Sequence, residues 1–299
     1  MYCREYPFYV MSTHMKHTLT HGDKVLLLGE RTIIMGTINC TPDSFSNGGQ
    51  FKSAYEAVKR ALQMVEEGAC IIDIGGESTR PGSNPVPESK ELDRVLPVVE
   101  MLRKESSVWI SIDTYKARVA QEAIEAGADI INDISGLRFD QNMTNVAAEN
   151  NIPVIVMHIL GMPRNMQLNP VYDDVVKDIY NYFEKRIESL IQAGISKDNI
   201  LIDPGIGFGK TTEHNLTLIN NLHVFARLNK PILIGPSRKS FIGNILNLDV
   251  KNRLEGTAAT VALSIARGAH IVRVHDVQEM VRVARITDAI INSKKPEFS

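Results

Sequence analysis

The chain has 299 residues, 43% of them hydrophobic, which suits one large core. Its formal net charge of −2 supplies no long-range attraction for nucleic acid or an anionic membrane surface, so any cationic site must be local. The three cysteines (Cys3, Cys40 and Cys70) form no CxxC pair, and no run approaches the ~18 apolar residues of a membrane span; the expectation is a soluble, cytoplasmic protein with free thiols.

Residues 1 to about 25 lack a clear period and are expected to form a loosely held extension. Three histidines there, His14, His17 and His21, have no predicted strand or helix to fix them as metal ligands. Residues 24–30 suggest a short strand that turns into the first barrel strand and plugs the N-terminal end. Apolar or β-branched runs then recur at 32–38, 70–74, 108–112, 129–132, 153–157, 199–202, 231–234 and 270–274. Amphipathic stretches follow near 53–67, 88–104, 116–126, 140–150, 171–193, 212–227, 238–267 (broken) and 277–292. Near-continuous apolar strands alternating with helices imply a parallel sheet covered by helices, and eight such units close it. The predicted fold is a single (β/α)8 barrel over residues 26–292, with a short N-terminal extension or hairpin before it and a tail at 293–299. Asn169-Pro170 predicts a cap and first-turn proline for the fifth helix, and Asp276 with Glu279 a capping box for the last.

The strand ends change character abruptly. Asn39, Asp113, Asn132 and Asp203 each close an apolar run, and polar groups at strand C-termini converge on one mouth in such a barrel. Arg273 and His275 share one face of the last strand, beside Ser237, Arg238 and Lys239 of the preceding loop, and predict an anion site. Asp113, Asn132 and Asp203 offer acceptors and an amide suited to a flat heterocycle; paired carboxylates also serve metal binding or acid–base work. His158, His270, His214 and His223 are expected to be packed or hydrogen-bonded rather than ligating. The run 205–211 (GIGFGKT) fails the spacing of a phosphate-binding P-loop, so its glycines are expected to let the loop pass close to a ligand. No G-x-S-x-G elbow surrounds Ser237. Long Gly-, Pro- and Ser-rich loops at 40–51 and 75–90 are placed to cover the site.

These motifs together resemble the dihydropteroate synthase family, over nearly the whole chain beyond residue 30. The matching segments are 35–49, 75–82, 111–116, 131–136, 203–210, 235–243 and 273–277. The resemblance implies condensation of 6-hydroxymethyl-7,8-dihydropterin diphosphate with p-aminobenzoate, by a dissociative substitution. It implies that Asp113, Asn132, Asp203 and Lys239 hold the pterin, and that Thr79, Arg273 and His275 contact the diphosphate. It assigns Phe45, Arg80, Pro81 and Ser237 to the p-aminobenzoate pocket, Met157 and Phe208 to its walls, and Asn39 to Mg²⁺. A homodimer is implied by the resemblance alone. Asp113, Lys239, Arg273 and His275 are the expected catalytic set.

The sequence departs from the family at Asn47, where Asp is common, and at Ile159, Leu160 and Met162, a more apolar loop than usual. Two other functions share part of the pattern. A pterin-binding methyltransferase domain has no need of Thr79-Arg80 or the 237–239 arm. A catalytically silent pterin-binding homologue is expected to lack Asn39, Lys239, Arg273 or His275, all present here.

Overall fold

A computed structural model describes residues 15–41 and 50–293. The expected positions Phe45 and Asn47, together with Cys3 and His14, lie outside the described residues.

The first described elements form an antiparallel hairpin, β1 (His17–His21) and β2 (Lys24–Leu28), in the register His17 to Leu28. The hairpin expected before the barrel is present, but it reaches further back than the expected extension to about residue 25 allows: an ordered strand starts at His17. Its period is concealed because threonines alternate with one apolar residue, yet that residue, Leu19, is fully buried.

The barrel follows as β3 (Ile33–Asn39), α1 (Gln50–Glu67), β4 (Ile71–Gly75), α2 (Glu88–Glu105), β5 (Trp109–Asp113), α3 (Ala117–Glu125), β6 (Ile130–Asp133) and α4 (Met143–Glu149). It continues as β7 (Val154–Met157), α5 (Val175–Gln192), β8 (Ile200–Asp203), α6 (Thr212–Asn220), β9 (Leu233–Ile234), α7 (Ser240–Leu246), α8 (Leu254–Ala266), β10 (Ile271–Val274) and α9 (Val277–Ile291). The strands β3 to β10 are parallel, in the order β8-β7-β6-β5-β4-β3-β10-β9. A bridge between Ile202 and Ile232, with the Ile202 N–H donating to the Pro231 carbonyl at 3.0 Å, closes the circle. This is the expected eight-unit barrel.

Strand alternation divides the core in two. One set of side chains (Ile34, Ile38, Ile72, Ile74, Ile110 and Ile112 among them) faces outward and is buried under the helices. The other set faces the barrel axis. Its lower layer is wholly apolar: Ile33, Met35, Ile71, Trp109, Ile130, Ile155, Leu201, Leu233 and Ile271, sealed from below by Leu19 and Leu28 of the hairpin. The plug is thus built from two leucines, and the mouth lies at the other end.

One predicted helix start and one predicted capping bond are corrected. Asn169 adopts a left-handed backbone (φ +57°) and starts no helix; α5 begins four residues beyond the predicted first residue. There the Asp174 carboxylate accepts the Val176 and Lys177 N–H groups at 3.0 and 3.1 Å, an N-cap that discharges two orphan donors. Asp276 precedes α9, but its side chain makes no cap bond. Its carboxylate is held by the Arg238 guanidinium instead, with Nε at 2.9 Å. The 238–267 stretch breaks as expected, into α7, a 3₁₀ turn at Val250–Asn252, and α8. Among the described residues, no helix is long and apolar enough to cross a membrane.

Candidate functional site

One step above the apolar layer, the axis-facing positions become polar. Thr37, Asp73 and Ser111 lie side by side on β3, β4 and β5, and Asn39, Gly75, Asp113 and Asn132 form the next tier on β3 to β6. Asp203 ends β8, and Arg273 rises from β10. The register is unbroken between neighbouring strands, but the switch steps along it: Ser111 pairs with apolar Ile130, Asn132 with Ile155 and Arg273 with Met35.

Arg273 organises the centre. Its Nε donates to Asp73 Oδ2 at 2.5 Å and its Nη2 to Asp113 Oδ2 at 2.8 Å. Asn132 donates its side-chain N–H to Asp73 at 3.2 and 3.4 Å. The expected anion-binding arginine is therefore held by two strand-borne carboxylates that reach it across the barrel. Asp73 was not among the predicted site residues. Its signal is present in the sequence: an acid between Ile72 and Ile74, at the inward phase of a strand otherwise apolar up to its end. Three buried polar atoms at this level, Asp113 Oδ1, Ser111 Oγ and Thr37 Oγ1, have no hydrogen-bond partner among the described residues. Unsatisfied buried groups cost about 1–3 kcal/mol each, so these atoms favour a polar molecule that could satisfy them.

Charge follows from this packing. Burial pushes the Asp113 carboxyl up to about 7, against Arg273, which pulls it down, and with Asp73, which adds to the rise. Burial opposes the charge on Arg273, but Asp73 and Asp113 outweigh it and raise the guanidinium further. Asp203 is also raised by burial, although it accepts the Gly205 N–H at 2.7 Å. Burial lowers Lys239 to about 8, reinforced by Arg273 and opposed by Asp203 and Asp113. His275 is lowered to about 4, first by burial and then by Arg273, so it is a neutral imidazole at pH 7. Ser237 Oγ lies 3.0 Å from His275 Nδ1 and accepts the His275 backbone N–H at 3.3 Å. If the hydroxyl donates to Nδ1, the remaining ring nitrogen, Nε2, carries the proton and is a donor. Ser237 thus sits on the histidine expected at the anion site.

Lys239 places its ammonium 4.1 Å from the centre of the Phe208 ring. Phe208 packs with Met157, Ile134, Ile159 and Met166, an apolar wall beside the polar floor. Two of the glycines around Phe208 are required by the neighbouring loop. Gly205 and Gly209 have φ of +71° and +63°, and an added Cβ would strike the His158 and Leu160 carbonyls respectively. They let the loop after β8 pass against the loop after β7. Gly207 does face the site, where a Cβ would meet Lys239 Cδ at 3.1 Å. Gln167 and Tyr172 bolt the two loops together by donating to the Gly207 and Gly209 carbonyls at 2.7 and 2.8 Å.

His158 is the expected wall residue, with Lys210 Nζ 3.1 Å from its Nδ1 and Tyr182 against its ring edge. His270 likewise accepts the Ile232 N–H. Thr79, Arg80 and Pro81 lie on the loop after β4, half-buried in the first case and exposed in the other two. Among the described residues, the hydrogen bonds of Arg80 stay inside that loop: Ser83 donates to its carbonyl through Oγ at 2.7 Å. Asn39 ends β3 at the rim, on the strand that pairs with β10.

The sequence model of the family "Pterin binding enzyme" matches residues 35–275. The dihydropteroate synthase of Bacillus subtilis (strain 168) is 48% identical over 263 residues, which cover 88% of this chain and 90% of that protein. The crystal structure of the Yersinia pestis dihydropteroate synthase with a sulfonamide drug complex superposes with a TM-score of 0.87 at 44% identity, covering 92% of this chain and 100% of the other. The dihydropteroate synthase of Xanthomonas albilineans in complex with 7,8-dihydropteroate gives a TM-score of 0.83 at 37% identity, covering 93% and 100%.

Proposed function

The chain belongs to the pterin binding enzyme family, and from that premise we propose how its residues carry out dihydropteroate synthesis. The protein is a transferase that condenses 6-hydroxymethyl-7,8-dihydropterin diphosphate with p-aminobenzoate, giving 7,8-dihydropteroate and diphosphate in folate biosynthesis. The observation that carries the residue assignment is the polarity of the mouth: acceptors on β5, β6 and β8 face the cations of β10 and the 237–239 arm.

Asp113, Asn132 and Asp203 accept from and donate to the pterin's amino and ring N–H edge, and Lys239 donates to its carbonyl side. Arg273 and His275 receive the diphosphate, with Thr79 from the second loop. As the C–O bond to the diphosphate breaks, the bonding pair leaves with the diphosphate. Arg273 and neutral His275 stabilise the charge that grows there. The cation left on the exocyclic methylene is delocalised into the dihydropterin and favoured by ionised Asp113. The arylamine nitrogen then attacks and loses its proton, with no covalent enzyme intermediate. Positioning and preorganised charge supply most of the acceleration. Phe45, Arg80, Pro81 and Ser237 border the arylamine, beside the Met157 and Phe208 wall.

The residues suit a Mg²⁺ ion that travels with its substrate. Among the described residues, no group of three His, Cys, Asp or Glu side chains forms a protein cage for a metal. A single amide oxygen from Asn39 at the rim matches the habit of Mg²⁺ to keep waters and take phosphate oxygens. When bound, the ion neutralises charge on the diphosphate oxygens.

A homodimer in the cytoplasm completes this reading. Exposed apolar side chains on α6, α7, α8 and α9 (Leu216, Ile245, Leu263, Ile286 and Ile290) give one side of the barrel a surface suited to a second copy. Cys40 and Cys70 are free thiols, in keeping with a reducing compartment.

The test is formation of dihydropteroate from the two substrates by purified protein, with and without Mg²⁺. Arg273→Ala is expected to lower kcat/KM by on the order of 2–4 kcal/mol of transition-state stabilisation. An unchanged kcat/KM in a folded variant removes Arg273 from the mechanism.

A further inference from the structure

A densely bonded charged cluster outside the polar mouth lies at the foot of the second loop. Glu77, which follows β4 by two residues, is buried, and both its oxygens are occupied. Oε1 accepts the Tyr115 hydroxyl at 2.5 Å, while Oε2 accepts Lys116 Nζ at 2.6 Å and the Val86 N–H at 2.8 Å. Lys116 spends its other two donors on the Val86 carbonyl at 2.7 Å and on Glu91 of α2. Every donor of the ammonium is matched, and its two carboxylate partners are 6% and 1% exposed. A buried pair is tolerable only with such complete bonding.

The cluster closes a specific piece of chain. Glu77 and Val86 are the two ends of the loop, so Lys116 and Glu77 staple its entry to its exit. Only 78–85 is left to project, with Thr79, Arg80 and Pro81 at its front. That tip is folded on itself by Ser83 Oγ, which donates to the Ser78 and Arg80 carbonyls at 2.5 and 2.7 Å. The seat below is rigid as well. A Cβ on Gly76 would lie 2.8 Å from Val95 and 2.9 Å from Glu91 Cγ, and Arg94 donates to the Gly76 carbonyl at 2.6 Å. The clamp is also joined to the reaction floor. Tyr115 and Lys116 lie two and three residues beyond Asp113 on the β5–α3 turn, and the Tyr115 ring meets Phe139 edge-on at 5.6 Å, next to the Met157–Phe208 wall.

We propose that Glu77, Tyr115 and Lys116 are positioning residues that fix the 78–85 tip in register with Asp113, and so set the enzyme's use of the arylamine without touching either substrate. The proposal rests on the assignment of Arg80 and Pro81 to the arylamine.

Tyr115→Phe deletes one hydrogen bond of the clamp and keeps the ring; Lys116→Met removes the staple. Both are expected to raise the KM for p-aminobenzoate, about three- to tenfold for Tyr115→Phe, the size of one lost hydrogen bond. Pterin binding by calorimetry should stay within about twofold, since no single such bond supports the pterin ligands. Hydrogen exchange should speed up in 78–86 while α2 and β5 keep their protection, a pattern that general loosening of the fold does not give. Unchanged p-aminobenzoate KM and unchanged exchange in folded Tyr115→Phe overturn the proposal, as does an equal loss of pterin binding. Arg80→Ala run in parallel separates the premises. If it leaves the p-aminobenzoate KM in place, the loop assignment itself fails and takes the clamp with it. If it raises KM while the clamp variants are silent, only the clamp is overturned.

Discussion

Asp113→Asn should make the protein more stable at alkaline pH and nearly inactive. Asp113 shares the Arg273 guanidinium with Asp73, so two buried carboxylates face one cation. Burial and Asp73 leave the Asp113 carboxyl at about 7 in the folded state, despite Arg273. The unfolded chain titrates it near the ordinary carboxyl value of about 3.9. The native state therefore holds a proton that the unfolded state releases, and stability falls as pH rises from about 4 to about 7. At 1.36 kcal/mol per tenfold, the gap corresponds to on the order of 4 kcal/mol. An unfolding entropy of about 2.1 cal/mol/K per residue gives roughly 0.6 kcal/mol/K for a chain this long, so about 6 °C in Tm. The amide cannot ionise and still accepts from Arg273, so the variant escapes that loss. Thermal scans of both proteins between pH 5 and 8.5 should converge at the acid end and separate by several degrees at the alkaline end. Meanwhile kcat/KM should fall by on the order of 3 kcal/mol, because a neutral amide cannot favour the pterin cation. Stability and activity should thus move in opposite directions, as at other sites where function holds a strained charge. Parallel Tm–pH curves for the two proteins would refute the shared-guanidinium argument.

Lys239 is lowered to about 8 by burial, then by Arg273, so its ammonium is lost as pH rises through that value. Pterin affinity should weaken between about pH 7 and 9 for the native protein and stay flat, at a weaker level, for Lys239→Met; calorimetry at three pH values reads this, and a pH-independent native affinity contradicts it. Gly205→Ala forces a left-handed backbone on alanine and drives its methyl into the His158 carbonyl. The combined cost should be about 2–5 kcal/mol, from left-handed strain and overpacking together. A Tm within a degree of the native value would show that the two loops can separate there.

The barrel was legible because its signals are local and repeated. Eight apolar runs, each followed by an amphipathic stretch, force a covered parallel sheet, and all eight strands form where the runs lie. The site was legible to the extent that its residues lie at strand ends: Asn39, Asp113 and Asp203 close their strands and Asn132 is the penultimate residue of β6, so all four stand at the same edge. Where competing local chemistry existed, the reading failed. Asn169-Pro170 looks like a cap, yet Asp174 lies at the actual start and does the capping. Asp276 carries a cap pattern, but Arg238, 38 residues earlier, claims its carboxylate.

Partnership is what only the tertiary structure decided. Arg273 lies 200 residues from Asp73 and 160 from Asp113 in sequence, and no periodicity announces which carboxylates will reach a guanidinium across a barrel. Glu77 reads as one polar residue in a Gly- and Ser-rich loop until Lys116, 39 residues on, closes over it. The glycines after β8 are visible in the sequence, but their cause, the neighbouring carbonyls of His158 and Leu160, is not. Alternation along a strand dictates which face a side chain takes, because that depends on backbone geometry within a few residues. What it meets on that face depends on how far the sheet has curled before its ends join, and only the closed barrel fixes that distance.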